Sequence, residues 1–131
     1  MKNSHTIKHL NIFGIRVDLF SIINNDIQSL KIEGAGDAFT FKNANKFDRL
    51  EAVYINSMHS NLNCEDLLDM PNLKEVVIIN STEVENVDAF LNATNLHSLE
   101  LVNCKNAMTK EQKELFKKQE QRFNQLNINY A

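Results

Sequence analysis

Four side chains could do chemistry: His59, His97, Cys64 and Cys104. Two imidazoles and two thiols could hold a soft metal ion, and a paired thiolate and imidazole could attack an acyl group. Their spacing argues against both. The histidines stand 38 positions apart and the cysteines 40, with no C-x-x-C pair to bring two ligands out of one turn. Both cysteines also fall on or near apolar positions, where a thiol is a small hydrophobe and not a nucleophile. Glu65, Asp66 and Asp69 are three acids a hard cation would accept. The start of a helical turn explains them better, because its unpaired N–H groups favour negative charge. Gly34-Ala35-Gly36-Asp37 lacks the glycine spacings of phosphate-binding loops and reads as a turn. Lys110, Lys113, Lys117, Lys118 and Arg122 alternate with Glu111, Glu114 and Glu120, which is a solvated helix face and not a nucleic-acid stripe. The expectation is therefore no catalytic residue, no metal, no cofactor and no nucleic acid. A small hydrolase using His59 or His97 is the remote alternative, and replacing both by Ala would expose it.

The bulk properties point the same way. At 131 residues the chain is one domain. Hydrophobic residues make up 43% and charged residues 24%, a globular balance. Three Gly and one Pro are too few for a many-hairpin sandwich. Two isolated cysteines make no disulfide framework. Lys2, His5, Lys8 and His9 interrupt any leader-like apolar run, and the longest apolar stretch, Val76 to Ile79, cannot span a bilayer. A cytoplasmic, reduced protein with no membrane contact is expected. Charge is unevenly spread: residues 1–50 carry a net +2, residues 51–104 a net −8 and residues 105–131 a net +3. An acidic middle repels nucleic acid and attracts basic partners.

Self-similarity organises the rest. Leu50-Glu51-Ala52-Val53-Tyr54-Ile55, Leu73-Lys74-Glu75-Val76-Val77-Ile78 and Leu96-His97-Ser98-Leu99-Glu100-Leu101 each read apolar-x-x-apolar-x-apolar, 23 positions apart. A further 23 back stands Ile27-Gln28-Ser29-Leu30-Lys31-Ile32. Leu10 to Ile15 fits as a degenerate first copy and Phe123 to Ile128 as a last. Residues two apart in a strand share a face, so Val53 and Ile55, Val76 and Ile78, and Leu99 and Leu101 should point into one core. Leu67, Leu68 and Met70, then Phe90, Leu91 and Ala93, should line it from returning limbs. Asp66 and Asp88 are expected N-caps there, with Pro71 and Asn72 ending the first limb. Thr109-Lys110-Glu111-Gln112 reads as a capping box opening a helix from Lys110 to about Arg122, with Leu115, Phe116 and Phe123 as its buried stripe. A strand over about 10–16 and a helix near Leu19 to Asn24 are expected at the other end. Phe39 and Phe41 fit either a short strand or core plugs. Nineteen asparagines suit turns and ladders between stacked copies.

These copies resemble the leucine-rich-repeat signature L-x-x-L-x-L-x-x-N/C. Leu96 to Cys104 matches best, and Ser81 and Met58 take the last place in the preceding copies. The resemblance implies an α/β fold: a short leucine-rich-repeat solenoid with one curved parallel sheet, short helical or irregular return limbs and a C-terminal capping helix. Residues 1–26 would form the N-terminal cap, 27–104 the repeats, and 105–131 the cap helix and last strand.

The same resemblance implies a protein-binding module that uses the outward strand positions. Those are Ser29, Lys31 and Glu33; Ala52, Tyr54 and Asn56; Glu75, Val77 and Ile79; Ser98, Glu100 and Val102; Gln125, Asn127 and Asn129. Tyr54, Val77, Ile79 and Val102 are apolar where polar residues belong, and Glu75 and Glu100 rim them, as at an interface. With Asn56 these seven are the expected partner-binding residues. Two other readings of the apolar positions compete: a cover formed by residues 1–9, and the ordinary preference of central strands for β-branched side chains. A complete, small, acidic, cytoplasmic unit resembles bacterial immunity proteins. The expectation is a monomer that blocks the active site of a cognate toxin, a basic nuclease of a contact-dependent or polymorphic toxin system. The alternative is a leucine-rich-repeat adaptor or effector for another protein. The terminal strands would be open edges.

Overall fold

The computed structural model describes residues 8–15, 26–36, 40–42 and 47–131. Six strands, each five residues long, form one sheet: β1 (His9–Phe13), β2 (Ser29–Glu33), β3 (Ala52–Asn56), β5 (Glu75–Ile79), β7 (Ser98–Val102) and β8 (Gln125–Asn129). Every pairing is parallel, and the order across the sheet is the chain order. Two short strands, β4 (Leu62–Asn63) and β6 (Val84–Glu85), pair separately. Each precedes a 3-10 turn, Cys64–Asp69 or Val87–Asn92. A parallel sheet needs a crossover between successive strands, and these limbs supply it from β3 to β5 and from β5 to β7.

The 23-residue spacing sets the register. Val53 lies beside Val76 and Leu99, and Ile55 beside Ile78 and Leu101. All six are buried, as are Leu67, Met70 and Phe90 from the limbs. Leu68, Leu91 and Ala93 are only half buried. Phe41 is a core plug outside any strand. Phe39, and the helix expected near Leu19 to Asn24, lie outside the described residues.

One residue after each of these strands the backbone turns left-handed: Gly14 (φ 62°), Gly34 (69°), Ser57 (60°), Asn80 (52°), Asn103 (54°) and Tyr130 (57°). Glycine at the first two positions and asparagine at two others tolerate that conformation. Gly14 is also why β1 ends at Phe13 and does not reach residue 16 as its composition suggested. The asparagines form ladders. Asn80 Nδ2 donates to Asn56 Oδ1 at 3.1 Å, and Asn103 Nδ2 to Asn80 Oδ1 at 2.8 Å. The last place of the repeat signature is filled by Met58, Ser81 and Cys104, all buried. Ser81 Oγ accepts the Met58 N–H at 3.1 Å and donates to Ile79 O at 3.0 Å, tying two successive copies together at the corner.

Three expectations fail. The acids Asp66 and Asp88 do not cap the limbs. Asn63 caps the first by accepting the Glu65 N–H at 3.0 Å, and Asn86, itself left-handed, starts the second without a side-chain cap. Asn86 Nδ2 bonds Asn63 Oδ1 at 2.9 Å, and an aspartate has no N–H to offer such a ladder. The terminal helix α1 runs only Lys110–Lys118, and a 3-10 turn, Glu120–Arg122, follows it. Its capping box between Thr109 and Gln112 is complete. Phe116 and Phe123 are buried with ring centroids 6.4 Å apart, but Leu115 is 41% exposed, because one residue is 100° of helix and only Phe116 faces the limb at Val87–Asn92.

Arg122 locks the last layer to the one before. Its guanidinium donates to the carbonyls of Leu91 (2.9 Å) and Ala93 (2.6 Å), with longer contacts to Phe90 and Leu96, and stacks on Phe123 at 4.6 Å. Asn95 and Asn72 occupy the same place in earlier copies and donate to Pro71 O and Asp48 O. Arg122→Met keeps the stem and removes the donors. It is expected to cost about 2 kcal/mol, since hydrogen bonds from charged donors contribute about 1.5–3 kcal/mol each and these carbonyls are partly open to water. Urea denaturation at unchanged m-value checks it, and an unmoved midpoint would contradict the role.

Candidate protein-binding face

The outward side chains form three rows that follow the strand register. The first runs His9, Ser29, Ala52, Glu75, Ser98, Gln125. The second runs Asn11, Lys31, Tyr54, Val77, Glu100, Asn127, and the third Phe13, Glu33, Asn56, Ile79, Val102, Asn129. All seven expected binding residues lie on this face. Tyr54 is beside Val77, and Ile79 beside Val102, so the four apolar residues are contiguous over β3, β5 and β7. Neighbouring strands are about 4.8 Å apart, which puts these side chains in mutual contact range. Each is half buried and Glu75 is exposed. Of the cover proposed from residues 1–9, Lys8 and His9 sit at the far edge with β1, and residues 1–7 lie outside the described residues.

Polar neighbours hold the patch in place. Lys31 Nζ lies 4.9 Å from the centre of the Tyr54 ring and 3.2 Å from Glu33 Oε1. Glu100 Oε1 accepts from Gln125 Nε2 at 3.1 Å and more weakly from Asn127 Nδ2. Asn56 is committed to the asparagine ladder and to Ser57 Oγ at 2.8 Å. Between the rows a depression of about 200 Å³ opens over Ala52, walled by Ser29, Lys31, Tyr54, Glu75 and Val77. It exists because Ala52 and Ser29 are short where Lys31, Tyr54 and Glu75 are long. A second hollow shares Ser29, Ala52 and Glu75 and extends to His97, whose buried Nδ1 finds no hydrogen-bond partner among the described residues. A buried polar atom without a partner is uncommon.

The acids divide between two surfaces. Glu33, Glu75 and Glu100 lie on the face. Glu65, Asp66, Asp69 and Asp88 lie on the 3-10 limbs, Glu85 on β6 and Glu83 just before it. Glu85 is therefore on a different surface from Glu75 and Glu100. Burial raises the Asp66 carboxyl above its ordinary range, which Lys42 opposes and Asp69 reinforces. Phe13, absent from the expected set, is 71% exposed at the end of the third row. The first copy read from Leu10 had put Phe13 on an inward position; Leu10 instead pairs with Leu30 and Ile12 with Ile32, so that copy is displaced by three residues and Phe13 faces outward.

The four side chains with chemical potential do not converge. His59 follows β3 at the carboxyl end of the strands and His97 precedes β7 at the amino end. Among the described residues no group of three or more His, Cys, Asp and Glu could hold a metal ion, and no helix is long and apolar enough to cross a membrane. Both cysteines are buried and free. Burial drives the Cys64 thiol far above its ordinary 9.0 and raises Cys104 despite hydrogen bonds from the backbone near it. Cys104 Sγ also donates to Ile78 O at 3.3 Å. Native protein at pH 8 should therefore resist a thiolate-specific reagent, while denatured protein labels at both positions. Rapid native labelling would contradict the burial. Because the folded thiols titrate above the unfolded ones, the stability they permit is present below about pH 8.5–9 and erodes as the pH rises further.

No protein-family model, no curated protein and no solved structure matches this chain.

Proposed function

We propose that this chain is a leucine-rich-repeat solenoid that binds another protein through its outward sheet face, and that it serves as an immunity protein for a cognate toxin. One observation carries the reading: Tyr54, Val77, Ile79 and Val102 form a contiguous apolar patch on three central strands, flanked by Glu75 and Glu100. An aromatic anchor within aliphatic residues and a charged rim is the anatomy of a binding hot spot. The depression over Ala52 suits one partner side chain with an apolar stem and a cationic head, since the Tyr54 ring and the Glu75 carboxylate share its wall. A nuclease carries such side chains, because it must hold phosphates. Covering them would block its active site. The acidic middle of the chain would hasten encounter and the apolar patch would slow release.

The adaptor or effector reading draws support from a different observation. Six of the acids of residues 51–104 lie off the face, on the limbs and around β6. A partner that meets only the apolar patch need not be basic.

Calorimetric titration against the toxin-like product of the adjacent reading frame tests the first reading. Tight one-to-one binding that weakens with salt is expected. The pair Glu75→Lys with Glu100→Lys should slow association at low salt, whereas Glu85→Lys, on the other surface, should change it far less. Equal inhibition by the double variant and the unaltered protein would overturn the basic-partner reading. Salt-independent binding would favour the adaptor.

A further inference from the structure

The two edges of the main sheet are chemically complementary, and we propose that copies of this chain associate head to tail, the β8 edge of one pairing with the β1 edge of the next. The inference is independent of the partner-binding reading. Hydrogen bonds between neighbouring strands obey one rule across the sheet. At the amino ends, the N–H groups of Gln28 and Ser29 donate to Lys8 O, those of Glu51 and Ala52 to Gln28 O, and so on to Asn124 and Gln125, which donate to His97 O. At the carboxyl ends, each left-handed residue donates to the last carbonyl of the following strand: Gly14 to Glu33, Gly34 to Asn56, Ser57 to Ile79, Asn80 to Val102 and Asn103 to Asn129.

Applied to the edges, the rule leaves an acceptor, Asn124 O, and a donor, the Tyr130 N–H, at β8. At β1 it leaves the N–H groups of Lys8 and His9 and the carbonyl of Phe13. A β1 strand laid beside β8 in the internal register would set His9 opposite Gln125 and Phe13 opposite Asn129. Donor then meets acceptor at both ends. The core-facing side chains match as well. Leu126 and Ile128 are half buried against the core, as are Leu10 and Ile12, and the register sets Leu126 beside Leu10 and Ile128 beside Ile12.

A separate observation selects a second copy over an unrelated strand. Among the described residues the two most exposed large hydrophobics are Tyr130 (79%) and Phe13 (71%), at the same end of opposite edges. A bond from the Tyr130 N–H to Phe13 O brings these positions together. The contact joins two different surfaces, so it extends by addition and does not close as a two-fold dimer would.

Sedimentation velocity on the full chain tests this. The weight-average sedimentation coefficient should rise with concentration and pass the dimer value without a plateau. Gln125 and Asn129 direct their backbone bonds toward β7, so the groups of Leu126 and Ile128 face the open edge. Ile128→Pro therefore removes an outward N–H and no internal bond, and Asn11→Pro does the same at β1. Each variant alone should sediment as a monomer, and their equimolar mixture should give a one-to-one dimer and nothing larger. Tyr130→Asp and Phe13→Asp, at exposed side chains, carry the same expectations if circular dichroism shows either proline variant unfolded. Unaltered protein that stays monomeric overturns the proposal. So does a β1-blocked variant that dimerises alone, which would mean β8 pairs with β8 or with another strand.

Discussion

Val77→Arg is expected to weaken partner binding by about 100-fold or more while moving the unfolding free energy by no more than about 0.5 kcal/mol. Val77 stands in the second row between Tyr54 and Glu100, on β5, with paired strands on both sides. Its backbone is held by β3 and β7, and its side chain is only half buried, so the fold loses little. The binding loss has two sources. The apolar contact vanishes, and, on the proposed basic-partner reading, a cation meets a cationic surface, where like charges cost several kcal/mol. Tyr54→Ala should lose less, about 10- to 100-fold, because it removes an anchor without adding repulsion. The order of the two effects is informative. If Tyr54→Ala were the more damaging, the partner would be recognised by the aromatic anchor and not by charge. If neither variant changed affinity and both remained folded, the binding surface would lie elsewhere, and the acid-bearing limbs around β6 would be the next place to look.

From β2 to β8, strand positions and register were legible because they rest on covalent spacing, whereas the copy at β1, which lacks the 23-residue interval, was read three residues out of place. Leu50, Leu73 and Leu96 recur at one interval, and a period of two then decides which of Val76 and Val77 is buried. The outward face followed from the same arithmetic, and so all seven expected residues fell together. The corners were not legible. Asp66 and Asn63 are both good caps by residue type, and what selects Asn63 is a bond from Asn86, a contact between copies that no local window contains. Leu115 and Phe116 are adjacent residues of similar apolar character, and the limb at Val87–Asn92 decides which of them is covered. Net charge over residues 51–104 misled in a related way. The acids are contiguous in sequence, but each copy crosses the sheet once and returns along the other side, so half a repeat separates Glu85 from Glu75 in space. Arg122 was readable as a charge on a helix face. Its four carbonyl partners became visible only once the preceding layer was in place.

Phe90→Ala should be the most destabilising single truncation considered, at about 3–5 kcal/mol. The side chain has no exposure and sits on the limb between two neighbours, the turn at Cys64–Asp69 on one side and α1 on the other. Its removal leaves a cavity whose walls belong to three layers, and the Arg122 guanidinium fixes the adjoining backbone, so collapse into the space is hindered. A domain of this size has about 5–15 kcal/mol in hand, and the melting temperature should fall by about 10–20 °C. The comparison that gives this number meaning is Ile12→Ala. Ile12 lies on an edge strand and is half buried against the core, with a neighbouring strand on one side only. In a protein whose layers touch only their neighbours, stability is a sum of layer and interface contributions, and a terminal layer contributes one interface where a central one contributes two. Ile12→Ala should therefore cost less than half as much as Phe90→Ala and should broaden the transition by fraying the β1 edge first. Calorimetry on both variants decides the matter. Equal losses with equally sharp transitions would mean that the sheet unfolds as one unit and that its strands do not behave as stacked, separable layers.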